Sequence, residues 1–215
     1  MRYTSEHKAQ TRQQLLSAAA RALRREGPER LGVAAVMAEV GLTHGGFYAH
    51  FSSKEELIAA AIDEIIEERI GIFSARYESM EPSEALARYI DSYLSYKHVE
   101  KVETGCPIPA LAADAPRLSS LPRERFAIGI ERLRKSVANL FERLGHDKKL
   151  AIELATSLLA ELAGAVSMAR AADSTKNARD VCDLTRATLR KRFGLAERAT
   201  FDARAKTGSL PSVQG

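Results

Sequence analysis

The sequence predicts an all-α protein, a small three-helix head followed by a larger helical body. Three observations predict it. Apolar residues recur at three- and four-residue steps along almost the whole chain. No segment alternates in the manner of a half-buried strand. Glycine, proline and capping residues interrupt the helical pattern at intervals that cut it into separate helices. With 215 residues, 45% apolar and 28% charged, the composition is ordinary for a soluble protein with room for two cores.

Met1 to Ser5 reads as a loose arm carrying Arg2. Glu6 to Glu26 forms the first helix, buried along Leu15, Leu16, Ala19, Ala20 and Leu23 and stopped by Gly27-Pro28. Val33 to Val40 places Val33, Val36, Met37 and Val40 on one face. Gly41 then supplies the left-handed residue of a tight turn. Thr43 caps a second short helix that runs to His50, and Phe47 and Phe51, four apart, anchor it inward. Ser53-Lys54-Glu55-Glu56 is a capping box that opens a long helix to about Ser79, with Gly71 as a point of bending. This helix is too long for the head alone, so it passes into the body and couples the two.

Glu81-Pro82 breaks the pattern, and Ser83 caps a helix through about Val99. Its Tyr89, Tyr93 and Tyr96 suit a ligand cavity, rings for packing and hydroxyls for orientation, and suit an interhelical seam equally. Gly105-Cys106-Pro107 opens a short helix that Ala115-Pro116 closes. A thiol there feels the helix dipole, which favours thiolate chemistry and a redox or electrophile sensor; the alternative is a small buried thiol. Arg123 to Leu144, Asp147 to Ala172 and Lys176 to Phe193 complete the body. The Ala/Leu-rich second of these is apolar on more than one face and must be buried on more than one side. After Leu195 the chain turns polar and is expected to be disordered.

A helix, a glycine turn and a second short helix form a helix-turn-helix, whose second helix enters the DNA major groove. Thr43, His44, Gly45 and Gly46 on the leading turn would meet bases, with the adjacent glycines allowing close backbone approach. Thr43, Tyr48, His50 and Lys54 offer donors for phosphate oxygens. Charge agrees. Residues 1–54 hold eight Lys/Arg (Arg2, Lys8, Arg12, Arg21, Arg24, Arg25, Arg30, Lys54) against four acids (Glu6, Glu26, Glu29, Glu39), and the rest of the chain is balanced, so the net +4 belongs to the head.

The run Gly41-Leu42-Thr43-x-Gly45-x-Phe47-Tyr48-x-His50-Phe51-x-x-Lys54-x-x-Leu57 resembles the DNA-binding signature of TetR/AcrR-family bacterial transcriptional repressors. The resemblance implies an all-helical homodimer, with residues 1–53 as the DNA-binding domain, residues 54–195 as the ligand-binding and dimerisation domain, and 196–215 as a tail. The expected partners are double-stranded operator DNA, a small-molecule effector that releases it, and a second copy paired through the two C-terminal helices. On this reading Tyr89, Tyr93, Tyr96 and Cys106 are the candidate effector contacts.

Other classes find little support. No phosphate loop, dinucleotide fingerprint, zinc-protease motif or nucleophile elbow occurs, so no catalytic residue and no cofactor is assigned. The two cysteines, Cys106 and Cys182, form neither a disulfide framework nor a metal spacing. No run of 18 apolar residues predicts a membrane span, and a cytoplasmic protein is expected. The rivals are a small-molecule enzyme and a DNA-binding architectural protein without a ligand.

Overall fold

The computed structural model describes residues 2–195; the tail expected to be disordered lies outside the described residues. Among the described residues the fold is all-α. Helix α1 spans Arg2–Arg30 and is interrupted at Gly27, where φ is 82°. The loose arm expected at Met1 to Ser5 is therefore helical from Arg2 onward. No glycine or proline stands between Arg2 and Glu26, so nothing stops the helix there. Helix α2 is Val33–Glu39, a short 3-10 helix covers His44–Ala49, and α3 is Lys54–Tyr77.

The helix expected from Ser83 to Val99 is two helices, α4 at Pro82–Tyr93 and α5 at Tyr96–Glu100. Pro82 takes the first helical position, so the cap moves back to Glu81, whose carboxylate accepts from the Glu84 N–H at 2.9 Å. Ser95 competes with continuation by capping α5, its hydroxyl accepting from the His98 N–H at 3.3 Å. Helix α6 is Pro107–Leu111, α7 Ser120–Arg143, α8 Lys148–Ala171 and α9 Thr175–Arg192. Asp147 caps α8, accepting from the N–H groups of Lys149 and Leu150 at 2.9 and 3.1 Å.

Two apolar clusters hold the molecule. The first joins the α1 stripe (Leu15, Ala19, Leu23) to Met37, Phe47, Phe51 and the α3 run from Leu57 to Ile66. Leu111 of α6 and Phe126 and Leu133 of α7 join this cluster as well. The second gathers Phe73 and Tyr77 of α3 with α4, the later half of α7, α8 and α9. Helices α3 and α7 thus serve both clusters. They meet closely at Gly129, where a Cβ would stand 2.5 Å from Cγ1 of Ile66.

Helix α8 is long and apolar enough to cross a membrane by length and composition alone. Its Leu158, Leu162 and Val166 are fully buried in the second cluster, which accounts for that apolarity as a core helix.

Candidate nucleic-acid interface and effector pocket

The turn between α2 and the 3-10 helix forms as the glycine suggests. Gly41 has φ 74°, its N–H reaches the Ala38 carbonyl at 3.0 Å, and the Leu42 N–H reaches the Met37 carbonyl at 2.9 Å. These are the two bonds of a Schellman cap, and a Cβ at Gly41 would be strained by φ alone.

The second helix differs from expectation in two ways. It winds as 3-10 rather than α, with the Gly46 N–H bonded to the Thr43 carbonyl at 3.0 Å. Two adjacent glycines in a six-residue segment give too little helical propensity for a full α turn. Thr43 occupies the cap position with extended backbone, but its hydroxyl accepts no cap bond. The anchors behave as their spacing requires: Phe47 and Phe51 are 3% and 2% exposed, with ring centroids 5.8 Å apart. Tyr48 points the other way and is 69% exposed. Gly45 is exposed, and a Cβ there would meet nothing within 4 Å.

Around this turn lie the cations. The Arg12 guanidinium stacks over the Phe51 ring at 4.8 Å. Lys8 and Arg12 both act on His50, whose pKa is lowered first by burial and then by these two charges. His50 Nδ1 is buried without a hydrogen-bond partner. Lys8 and Arg12 were not singled out from sequence; the signal was their i, i+4 spacing, which puts both on one face of α1. Lys54 donates to the Glu29 carbonyl at 2.9 Å. The capping box closes one residue out of place: Ser53 Oγ accepts from the Glu56 N–H at 3.1 Å, but Glu56 reaches back to the Ser52 N–H at 2.7 Å.

Not all the head's charge is free for a partner. Arg21 pairs with Glu39 at 2.6 Å, Arg24 with Glu68 at 2.9 Å and Arg25 with Glu26 at 2.7 Å. Arg24 is only 4% exposed, and its guanidinium also reaches the Gly105 carbonyl at 3.4 Å. A head side chain therefore touches both α3 and the turn that carries Cys106.

That turn borders a cavity of about 270 Å³ between α3, α4, α7 and the segment from Ser95 to Cys106. Tyr89, Tyr93 and Cys106 line it, as does Tyr77. Tyr96 is absent from its lining, a correction to the sequence reading. The break at Leu94-Ser95 turns it towards α9, where its hydroxyl meets Thr175 Oγ1 at 3.3 Å and Arg179 covers its ring at 4.7 Å. For Cys106 the structure favours the second of the two readings the sequence left open. Cys106 precedes α6, but burial pushes its thiol pKa up against the smaller opposing pulls of Tyr93, the Ile108 backbone, Arg69 and Arg170. The structure thus fits the small buried thiol rather than a poised thiolate.

His98 fixes the cavity floor. Its Nδ1 lies 2.6 Å from the Tyr93 carbonyl, and its Nε2 accepts from the Cys106 N–H at 2.9 Å. Both contacts are satisfied at once by a neutral ring protonated at Nδ1. Burial, with Arg170 and Arg69 adding to it, lowers its pKa to about 4. Gly105 makes the approach possible, because a Cβ there would stand 2.9 Å from His98 Nε2.

A helix-turn-helix head mounted on a helical body with a pocket has the architecture of a helix-turn-helix DNA-binding protein. Residues 15–61 match the family model of bacterial regulatory proteins of the tetR family, and residues 82–183 match the C-terminal domain of LmrA/YxaF-like transcriptional regulators. The chain belongs to the TetR family of transcriptional regulators. Over 67 residues it is 37% identical to the transcriptional regulator TtgR of Pseudomonas putida, a stretch that is 31% of this chain and 32% of that protein. The likeness thus spans about a third of that regulator's length. Two solved structures share the fold. A TetR transcriptional regulator from Chloroflexus aurantiacus superposes with a TM-score of 0.70 at 24% identity, over 86% of this chain and 96% of that one. A TetR-family regulator from Cytophaga hutchinsonii gives 0.74 at 20% identity, over 87% and 95%.

Proposed function

We propose that the protein is a ligand-responsive DNA-binding regulator, a cytoplasmic repressor that a small molecule releases from a near-palindromic operator. The observation that carries this reading is the Gly41 turn. It presents exposed Tyr48 and a bare Gly45 beside Lys8, Arg12 and Lys54. Thr43, His44, Gly45 and Gly46 meet base edges; Thr43, Tyr48, His50 and Lys54 meet phosphates, joined by Lys8 and Arg12. Residues 1–53 act as the reading head, and residues 54–195 bind the effector and pair the subunits.

Pairing runs through α8 and α9. Their outward faces carry Met168 at 64% and Leu184 at 70% exposure, among small residues such as Ala160 and Gly164 that let helices approach. Two heads on a two-fold axis can occupy successive major grooves about 34–36 Å apart, or a multiple of that. Effector binding beside α3 favours a different head spacing, and it weakens DNA binding only by its preference for that conformer. Arg24 supports the coupling, since it links α1 to Glu68 on the pocket wall.

Fluorescence anisotropy on duplexes from the promoter nearest the gene, at about 50 and about 200 mM salt, tests the reading. Light scattering on the same sample gives the subunit count. A monomer, or equal affinity for promoter and random duplex, rules it out. Release by a candidate effector separates a regulator from an architectural protein.

A further inference from the structure

The cavity has a chemistry of its own, and the ligand class it selects depends on its being the effector site. One wall is aromatic. Phe73 meets Tyr77 and Tyr89 edge-to-face at 5.3 Å each, and Tyr89 meets Tyr93 at 5.9 Å. Tyr89 sits deep in this wall yet keeps accessible surface, and the cavity it lines supplies that surface.

The rim is cationic. Arg76, Lys97 and Lys101 line it and are exposed, and Arg69 is half-buried behind them. Among the described residues none of the four forms an ion pair with a carboxylate; the hydrogen bond of Arg69 goes to the Thr104 carbonyl at 3.3 Å. Glu68 is the acidic residue in the lining, and Arg24 holds it at 2.9 Å. His98, neutral, adds no charge of either sign. Four positive charges thus face the cavity against one carboxylate that is already engaged.

The inner end holds a donor with no partner better than a thiol. Tyr93 is 5% exposed, and its buried hydroxyl has no hydrogen-bond partner of normal geometry. The Cys106 thiol beside it is a weak partner at best. A buried O–H left without an acceptor costs stability that a ligand oxygen would restore.

We propose that the pocket takes a small aromatic carboxylate bearing a second oxygen. The ring lies against Phe73, Tyr77 and Tyr89. The carboxylate faces Arg69 and the rim lysines, and the second oxygen accepts from the Tyr93 hydroxyl. The volume of about 270 Å³ falls just below the roughly 300–1,000 Å³ of drug-sized sites, which suits one ring or two small ones. The guanidinium fork of Arg69 matches a carboxylate in plane and in donor count. A cationic ligand would add to an unbalanced positive field, and a neutral one would leave it unanswered.

Isothermal titration calorimetry on the full chain tests this with 4-hydroxybenzoate, benzoate, methyl 4-hydroxybenzoate and 4-hydroxybenzylamine. The hydroxy acid binds most tightly, its ester at least about tenfold more weakly, and the amine not at all. Arg69→Gln weakens the acid by about tenfold and leaves the ester unchanged. Lys97→Ala with Lys101→Ala, at exposed positions, gives a smaller loss of the same kind. Tyr93→Phe removes the advantage of the hydroxy acid over benzoate. An ester that binds as tightly as the acid, or acids that fail to saturate by about 5 mM, overturns the proposal. Calorimetry needs no DNA, so operator binding that survives while the acids fail refutes this inference alone. Acids that bind while no duplex does refute instead the regulatory role.

Discussion

Acidification should unlock the turn that His98 holds. In the folded protein its ring accepts the Cys106 N–H at Nε2 and faces the Tyr93 carbonyl through Nδ1, so an added proton at Nε2 breaks the first contact. Burial and the charges of Arg170 and Arg69 oppose that proton, which is why the pKa falls from 6.5 to about 4. The unfolded chain therefore binds more protons between these values, and stability must fall as pH falls through that window. The gap is worth about 3 kcal/mol at 1.36 kcal/mol per pH unit, of which about 2 kcal/mol is lost between pH 7 and pH 5. Urea denaturation of the wild type and His98→Gln at several pH values measures it. His50 is depressed in the same direction, so the difference between the two proteins isolates His98. The wild type should lose about 2 kcal/mol more than the variant between pH 7 and pH 5. Parallel curves, or a wild type that gains stability in acid, would show that His98 does not titrate as its contacts require.

Gly129→Ala places a Cβ 2.5 Å from Cγ1 and 2.7 Å from Cδ1 of Ile66, which is 1% exposed. Overpacking of about 1–3 kcal/mol outweighs the roughly 0.8–1 kcal/mol that alanine gains in a helix, so the unfolding midpoint drops. A variant more stable than the wild type would mean the α3–α7 contact yields freely. Arg24→Ala opens a gap at a residue 4% exposed and costs about 2–4 kcal/mol, whereas Arg24→Met fills it and recovers most of that in the same urea assay. Lys54→Ala weakens binding to all duplexes and lowers the salt slope of the anisotropy titration by about 1; an unchanged slope removes Lys54 from the phosphate contacts. Tyr48→Ala at the 69% exposed position leaves the melting temperature unchanged and reduces promoter affinity, so equal affinity would take Tyr48 out of the interface.

The elements legible in the sequence were those with strong local grammar. Gly41 needs only its own turn to specify a left-handed cap, and Asp147 needs only the next three residues to cap α8. Phe47 and Phe51 declared their common face by spacing. What stayed hidden depends on competition between neighbours or on distant partners. Pro82 took the first helical position and displaced the cap from Ser83 to Glu81. Ser95 broke a hydrophobic pattern that otherwise continues, and so sent Tyr96 away from Tyr89 and Tyr93. For Cys106 the sequence offered both a dipole-activated thiolate and a small buried thiol, and burial among residues far along the chain, which its own helix does not encode, decides for the second. The bond from Arg24 to the Gly105 carbonyl, 81 positions apart, leaves no periodic trace.

Because α3 and α7 each belong to both apolar clusters, the molecule has no seam along which to be cut. Residues 1–53 produced by themselves would lack Leu57, Ile62 and Phe126, which belong to the same apolar cluster as Phe47 and Phe51. An excised reader would be molten rather than a miniature regulator, and any disturbance strong enough to melt the body would disarm the DNA-facing end in the same cooperative event.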